Sequence, residues 1–314
     1  MKEHADSTTL FARFFPDENA ILQVARVISG IRLVRDSYDD PRLFPPRNAP
    51  IEYQFGYFAA MVAIDHRTGT PLDSFEGYVE GEFFHGSDLL YRLGMLIFYE
   101  DPEFFSPVRL SNLTYNDARR LLEFNGKVLW DYHVRTFLLR DLGLKTVKFY
   151  GSFENLLNVE SISELIRRLR LFRAHEDPVA KKSYLLAKFL EGRELANFRD
   201  RDNAEVPVDN HISRLAIRLG IIKFSNYEHI ESQIEVPRKY DVRLRLEIRK
   251  AWRKVSMLSK VDPFTLDDFL WSLGRKVCRQ SKPLCESCPF NKICLARISG
   301  KFWLEHCHTL TWYY

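Results

Sequence analysis

Residues 278–294 read CRQSKPLCESCPFNKIC, with cysteines at 278, 285, 288 and 294 separated by six, two and five residues. Four thiolates this close in sequence point to a soft metal or to disulfides. The opening MKEHADSTTLFARFF is polar and then aromatic, without the apolar run of a secretory signal or a membrane span, so a cytoplasmic location is expected. Disulfides are disfavoured in that compartment. An iron–sulfur cluster and a tetrahedral Zn²⁺ are then the alternatives. Zinc ribbons are commonly built from two C-x2-C knuckles, and this stretch has one, Cys285 with Cys288.

Outward from this stretch, the charge is uneven. The net +4 of the 314-residue chain divides into 17 Lys/Arg against 23 Asp/Glu over residues 1–160 and 29 against 19 over residues 161–314. A polyanion is therefore drawn to the second half, which also holds the cysteines, and repelled by the first. Composition is that of an ordinary globular protein, 46% hydrophobic and 14% aromatic.

Apolar spacing predicts helices over 18–36, 51–65, 88–100, 114–124, 127–142, 161–172, 179–190, 209–220, 240–258 and 264–277. Several starts carry helix signals: Asp17, Ser106-Pro107, Thr114 with Asp117, Ser161 with Glu164, and Asp262-Pro263. The four prolines of DDPRLFPPRNAP, residues 39–50, mark an extended connection, and FEGYVEGEFFHG, residues 75–86, reads as a short hairpin or loop. The class is mostly α. No Gly-rich phosphate loop and no strand–helix alternation of a dinucleotide-binding sheet are present in the sequence.

Upstream of the cysteines, VPVDNHISRLAIRLG (residues 206–220) places Asp209 after an apolar extended segment and at the start of an amphipathic helix. The helix dipole and free N–H groups there stabilise a carboxylate. An ionised acid beside a site suits N-glycosidic cleavage, in which the sugar develops oxocarbenium charge as the base departs. The bland alternative is an N-cap and nothing more.

Together the two stretches resemble the helix-hairpin-helix (HhH-GPD) DNA glycosylases, especially adenine DNA glycosylase and endonuclease III. The cysteine spacing resembles their iron–sulfur loop, and V-D-x-H-x-x-R over Val208–Arg214 resembles their catalytic aspartate segment. The resemblance implies a [4Fe–4S] cluster on Cys278, Cys285, Cys288 and Cys294, with Asp209 as the catalytic acid. In bifunctional members a hairpin of L-P-G-V-G-x-K type precedes the aspartate and its lysine attacks C1′ of the sugar. The nearest match is DPVAKKSYLLAKFL, residues 177–190, which aligns Lys182 with that lysine but puts Pro178 and Ala180 where glycines would be. Proline has no N–H to offer a phosphate, and alanine restricts the backbone approach that glycine permits. Lys182 reads either as a Schiff-base nucleophile or as a solvated helix lysine.

Other groups have weaker patterns. Asp65, His66, Asp73, Glu76, Glu80, Glu82, His85 and Asp88 read either as the lining of a second site or a hard-cation site or, more commonly for such a run, as an exposed acidic loop; their spacing fits no standard metal motif, and His306-Cys307-His308 reads as incidental. Arg275, Lys276, Arg279, Lys282 and Lys292, threaded through the cysteine loop, are candidates for phosphate contact.

The expected fold is thus a two-lobed, mostly α helix-hairpin-helix glycosylase with a C-terminal [4Fe–4S] loop. Residues 1–87 would pack on the C-terminal lobe, 88–225 would form a bundle carrying the hairpin and Asp209, and 226–314 would hold the cluster. The site would lie in the cleft where Lys182 and Asp209 meet. The expected function is a monomeric base-excision N-glycosylase acting on double-stranded DNA with a damaged or modified base, with AP-lyase activity if Lys182 is the nucleophile. Two alternatives stand beside it: an N-glycosidase for a free modified nucleotide, since SPVRLSNLTYNDARRLLEF through YGSFENLL is faintly similar to the queuosine nucleotide glycosidases, and a non-catalytic iron–sulfur DNA-binding protein.

Overall fold

The computed structural model describes residues 11–69 and 74–314; the opening ten residues and Asp73 of the acidic run lie outside them. In chain order the elements are β1 (Phe14–Pro16), α1 (Glu18–Ser29), α2 (Ile51–Ala63), β2 (Glu76–Val79), β3 (Glu82–His85), α3 (Ser87–Glu100), α4 (Pro107–Ser111) and α5 (Tyr115–Leu122). There follow β4 (Glu123–Phe124), β5 (Lys127–Val128), α6 (Tyr132–Phe149), α7 (Phe153–Leu157), α8 (Ile162–Leu169), α9 (Lys181–Gly192), α10 (Asn210–Leu219) and β6 (Ile222–Phe224). The last are α11 (Glu228–Glu231), α12 (Arg238–Ser259), α13 (Pro263–Lys276) and α14 (Leu295–Ser299). No helix among the described residues is long and apolar enough to cross a membrane.

Local chemistry sets many of these boundaries. Asp17 caps α1 by accepting from Ala20 N at 2.9 Å, Thr114 and Asp117 form a reciprocal capping box on α5, and Ser161 accepts from Glu164 N at 3.1 Å. Helix α1 stops at Ser29, short of the expected residue 36, because the Gly30 N–H closes on the carbonyls of Val27 and Ile28. The 75–86 stretch is a hairpin, with Glu80 and Gly81 both at positive φ in its two-residue turn. Sequence spacing gave no sign of the antiparallel pair β1–β6, which joins Phe14 to Phe224 across the chain.

The chain divides into two compact units: the described part of Met1–Asp36 with Glu205–Thr311, and Ser37–Ala204 with Trp312–Tyr314. In the first, Ile21, Val24, Ala25 and Ile28 of α1 pack on α12, whose Leu244, Ile248, Trp252 and Val255 are buried. In the second, α2 is buried from Gln54 to Ala63 and lies in an aromatic cluster that includes Phe44, Tyr57, Phe58, Tyr91 and Phe189. Edge-to-face contacts dominate there, as in Tyr57 with Phe105 at 5.1 Å between ring centroids. Helix α6 approaches α4 so closely that a Cβ on Gly143 would stand 2.4 Å from Ser111 N.

The 278–294 loop corrects the sequence reading. Buried Arg218 of α10 holds its start, donating to the carbonyls of Arg279 at 2.6 Å and Gln280 at 2.8 Å and to Cys278 Sγ at 3.4 Å. Cys294 Sγ in turn donates to the Arg218 carbonyl at 3.2 Å. Burial pushes the Cys288 thiol up to about 11, and the neighbouring cysteines act in the same direction, so the protonated form is favoured. Cys278, Cys285, Cys288 and Cys294 form no disulfides, and among the described residues no group of three or more His, Cys, Asp or Glu side chains is arranged to hold a metal ion. The [4Fe–4S] cluster, and with it the iron–sulfur and metal-binding reading of Cys278, Cys285, Cys288 and Cys294, is therefore overturned. The loop is organised by a guanidinium and by backbone hydrogen bonds, which the spacing of the cysteines did not reveal.

Candidate active site

Helix α9 starts from an unusual turn. Ala180 has φ 57°, in the left-handed region that glycine normally occupies. The Asp177 carboxylate stabilises it, accepting from Val179 N at 2.9 Å and Lys181 N at 3.0 Å, while the Asp177 carbonyl accepts from Ala180 N at 2.9 Å. The Tyr314 hydroxyl completes the arrangement with a 2.9 Å bond to the same carboxylate. An aspartate thus does what the glycines of an L-P-G-V-G hairpin would do, and it uses the backbone N–H groups that such a hairpin would offer to a phosphate.

Lys182, one residue into α9, is fully buried. Its Nζ donates to the Ala63 carbonyl at 2.6 Å and lies 3.2 Å from His66 Nδ1. Burial, reinforced by Lys181 and Arg135, holds the amine well below the ordinary lysine value of 10.5. The reading of Lys182 as a solvated helix lysine is excluded. Lys181 beside it is paired with Asp65, donating to its carbonyl at 2.9 Å with the carboxylate at 4.0 Å.

Behind Lys182 lies a polar network. His66 Nε2 is 2.6 Å from Asp131 Oδ2, and Arg135 Nε donates to Asp131 Oδ1 at 2.6 Å. The guanidinium also donates to the carbonyls of Ile64 and Arg67, pinning the segment that carries His66. Desolvation is the main cause of an imidazole held well below its usual 6.5, with Arg135, Lys182 and Lys181 acting the same way. His66 is 3% exposed, so the expectation of an open acidic loop fails at this residue. Asp131 was not singled out at all: it lies 65 residues from His66, and no local pattern joins the two.

Asp209 lies in the other unit, half-buried at the N-terminus of α10. Oδ1 accepts from Ile212 N at 2.8 Å, and Oδ2 has no hydrogen-bond partner among the described residues. Arg214, one turn along, fixes this helix: it donates to Gly274 O at 2.8 Å and Cys278 O at 3.1 Å, and it pairs with Glu305 at 2.9 Å. The next residue after Asp209 is held as well, since Asn210 Oδ1 accepts from Arg245 at 2.7 Å and lies 3.1 Å from His308 Nε2. His306 and His308 are buried in this support, His306 Nε2 standing 2.6 Å from Asp241, so the triplet is structural rather than incidental.

Of the basic candidates, Lys276, Arg279, Lys282 and Lys292 are exposed, and Arg275 is half-buried with its guanidinium 4.4 Å from the Trp271 ring centroid. Lys182 and Asp209 are each built into a defined environment, one in each compact unit.

Residues 180–299 match the family model described as AGOG: N-glycosylase/DNA lyase. The matched segment contains Lys182, Asp209 and the cysteine loop. Among solved structures, the chain is similar to an AGOG 8-oxoguanine DNA glycosylase from Pyrobaculum aerophilum, in complex with 8-oxoguanosine, at 14% identity and a TM-score of 0.45, over 93% of this chain and 100% of that one. Curated proteins yield no match. The family match corrects the resemblance to endonuclease III and adenine DNA glycosylase: the HhH-GPD fold with an iron–sulfur loop gives way to a mostly α chain whose residues 180–299 match the AGOG model. It also sets aside the free-nucleotide and non-catalytic alternatives. The chain is a DNA N-glycosylase, an enzyme that cleaves the glycosidic bond of a damaged base in double-stranded DNA.

Proposed function

We propose that the enzyme is bifunctional, with Lys182 as the nucleophile that attacks C1′ and Asp209 as the carboxylate that stabilises the developing sugar cation. The observation that carries this reading is a lysine amine buried and held well below its usual basicity, inside the segment that matches an N-glycosylase/DNA lyase model. A lysine displaces a base only as the free amine, and desolvation is the standard means of producing one near neutral pH. The target nucleotide is extruded from the duplex, since C1′ is otherwise out of reach. The amine then leaves the Ala63 carbonyl and attacks. Asp209 Oδ2, unengaged among the described residues, meets the positive charge spreading over C1′ and O4′.

Arg275, Lys276, Arg279, Lys282 and Lys292 bind backbone phosphates in this reading, supported by the exposure of four of them and by the positive balance of the second half of the chain.

Duplexes carrying single oxidised purines, uracil or mispaired adenine, assayed under single turnover, test the assignment of the acid. Wild type is expected to excise at least one of these bases, and Asp209→Asn to excise it more slowly by about 10²-fold or more, the scale of losing one electrostatic stabiliser. Equal rates would end the role given to Asp209.

A further inference from the structure

We propose that His66, oriented by Asp131, is the internal base that takes the proton from Lys182 as its nitrogen bonds to C1′. This rests on the reading of Lys182 as nucleophile and adds to it the destination of the proton.

The inference follows from a count of donors and acceptors. Arg135 donates to Asp131, which is therefore a carboxylate acceptor; its other oxygen, 2.6 Å from His66 Nε2, requires the imidazole proton on that nitrogen. His66 Nδ1 is then a lone pair, facing Lys182 Nζ at 3.2 Å. A neutral amine has two N–H bonds and one lone pair. Here one N–H meets the Ala63 carbonyl and the other meets His66 Nδ1, which leaves the lone pair as the remaining valence. An ammonium would carry a third proton with no acceptor among the described residues. Burial is the main reason the imidazole stays neutral before reaction, and the cations Arg135 from α6 and Lys181 from α9 also oppose a positive charge there, with Asp131 the carboxylate in contact.

The step balances. The Nζ lone pair forms the bond to C1′, and the base departs with the electrons of the glycosidic bond and takes a proton from water. The new N–C1′ ammonium gives its proton to His66 Nδ1, and the imidazolium is stabilised by Asp131. This is the arrangement of a nucleophile, a base and an orienting acid, with an amine in the first place.

The test compares wild type, His66→Asn, Asp131→Asn and Lys182→Ala for borohydride trapping on an abasic-site duplex, following rate against pH, with duplex affinity measured alongside. His66→Asn retains an acceptor near Nδ1 but cannot hold the proton. It is expected to slow adduct formation by about 10²-fold at neutral pH, the usual range for a general base, with unchanged duplex affinity and with the rate recovering as pH rises. A wild-type rate and wild-type pH profile in His66→Asn would overturn the proposal. Should His66→Asn fail to fold, Asp131→Asn is read by the same criteria. The nucleophile reading is tested separately: adduct formation that persists in Lys182→Ala refutes it, whatever His66 does.

Discussion

Lys182 illustrates how a single buried side chain couples stability to chemistry. Unfolded, its amine titrates near 10.5; folded, burial holds it well below that. Between these two values the unfolded chain binds a proton that the native one does not, so this residue's contribution to stability rises as pH rises toward 10.5 and falls as pH drops. Lys182→Met lacks the term. The free energy of unfolding of wild type relative to Lys182→Met is therefore expected to increase as pH rises toward 10.5 in urea titrations. A difference that does not change with pH would mean that Lys182 is an ordinary ammonium in the native state. His66 carries the same sign at lower pH, where a depressed imidazole loses stability to the unfolded chain as pH falls below 6.5. The Lys-Lys pair allowed a lysine of lowered basicity, through burial and through Lys181, beside a solvated one; burial, which decides between them, is a property of what packs around a residue.

At the scale of elements, what was legible follows local rules and what was not follows from distance along the chain. Thr114 with Asp117, Ser161 with Glu164, and Asp262 before Pro263 all start helices where capping chemistry predicts. The pairing of Phe14–Pro16 with Ile222–Phe224 had no such signal: three-residue strands are too short for a period, and their partners stand about two hundred residues apart. The missing hairpin glycines misled in a different way. Ala180 takes the left-handed conformation because Asp177 stabilises it, and a motif defined by its glycines has no place for that substitute. Close helix approach gives a direct test of packing. Gly143→Ala would place its methyl group 2.4 Å from Ser111 N and 2.5 Å from the Pro107 carbonyl. Overpacking of this kind typically costs about 1–3 kcal/mol, more than the up to about 1 kcal/mol that alanine gains over glycine in a helix. A Tm lowered by several degrees is expected, and a raised Tm would show that α4 and α6 can separate at no cost.

For the whole molecule, the sequence conveyed function better than architecture or cofactor. The aspartate segment and the alignment of Lys182 pointed to N-glycosidic chemistry on DNA, and the AGOG match over residues 180–299 supports that function. The cluster was misread because spacing along a chain does not fix where four sulfurs stand; among the described residues no group of three or more such side chains is arranged to hold a metal ion, and Arg218 anchors the loop instead. The −6 balance of residues 1–160 and the +10 balance of residues 161–314 suit an enzyme that meets DNA with one part of its chain more than the other. The most direct measurement is mass spectrometry of the borohydride-reduced complex between the wild-type enzyme and a duplex from which it excises the base. The account predicts one cross-linked peptide with the sugar remnant on Lys182. Base excision with the adduct on any other residue, or with no adduct at all, would contradict it.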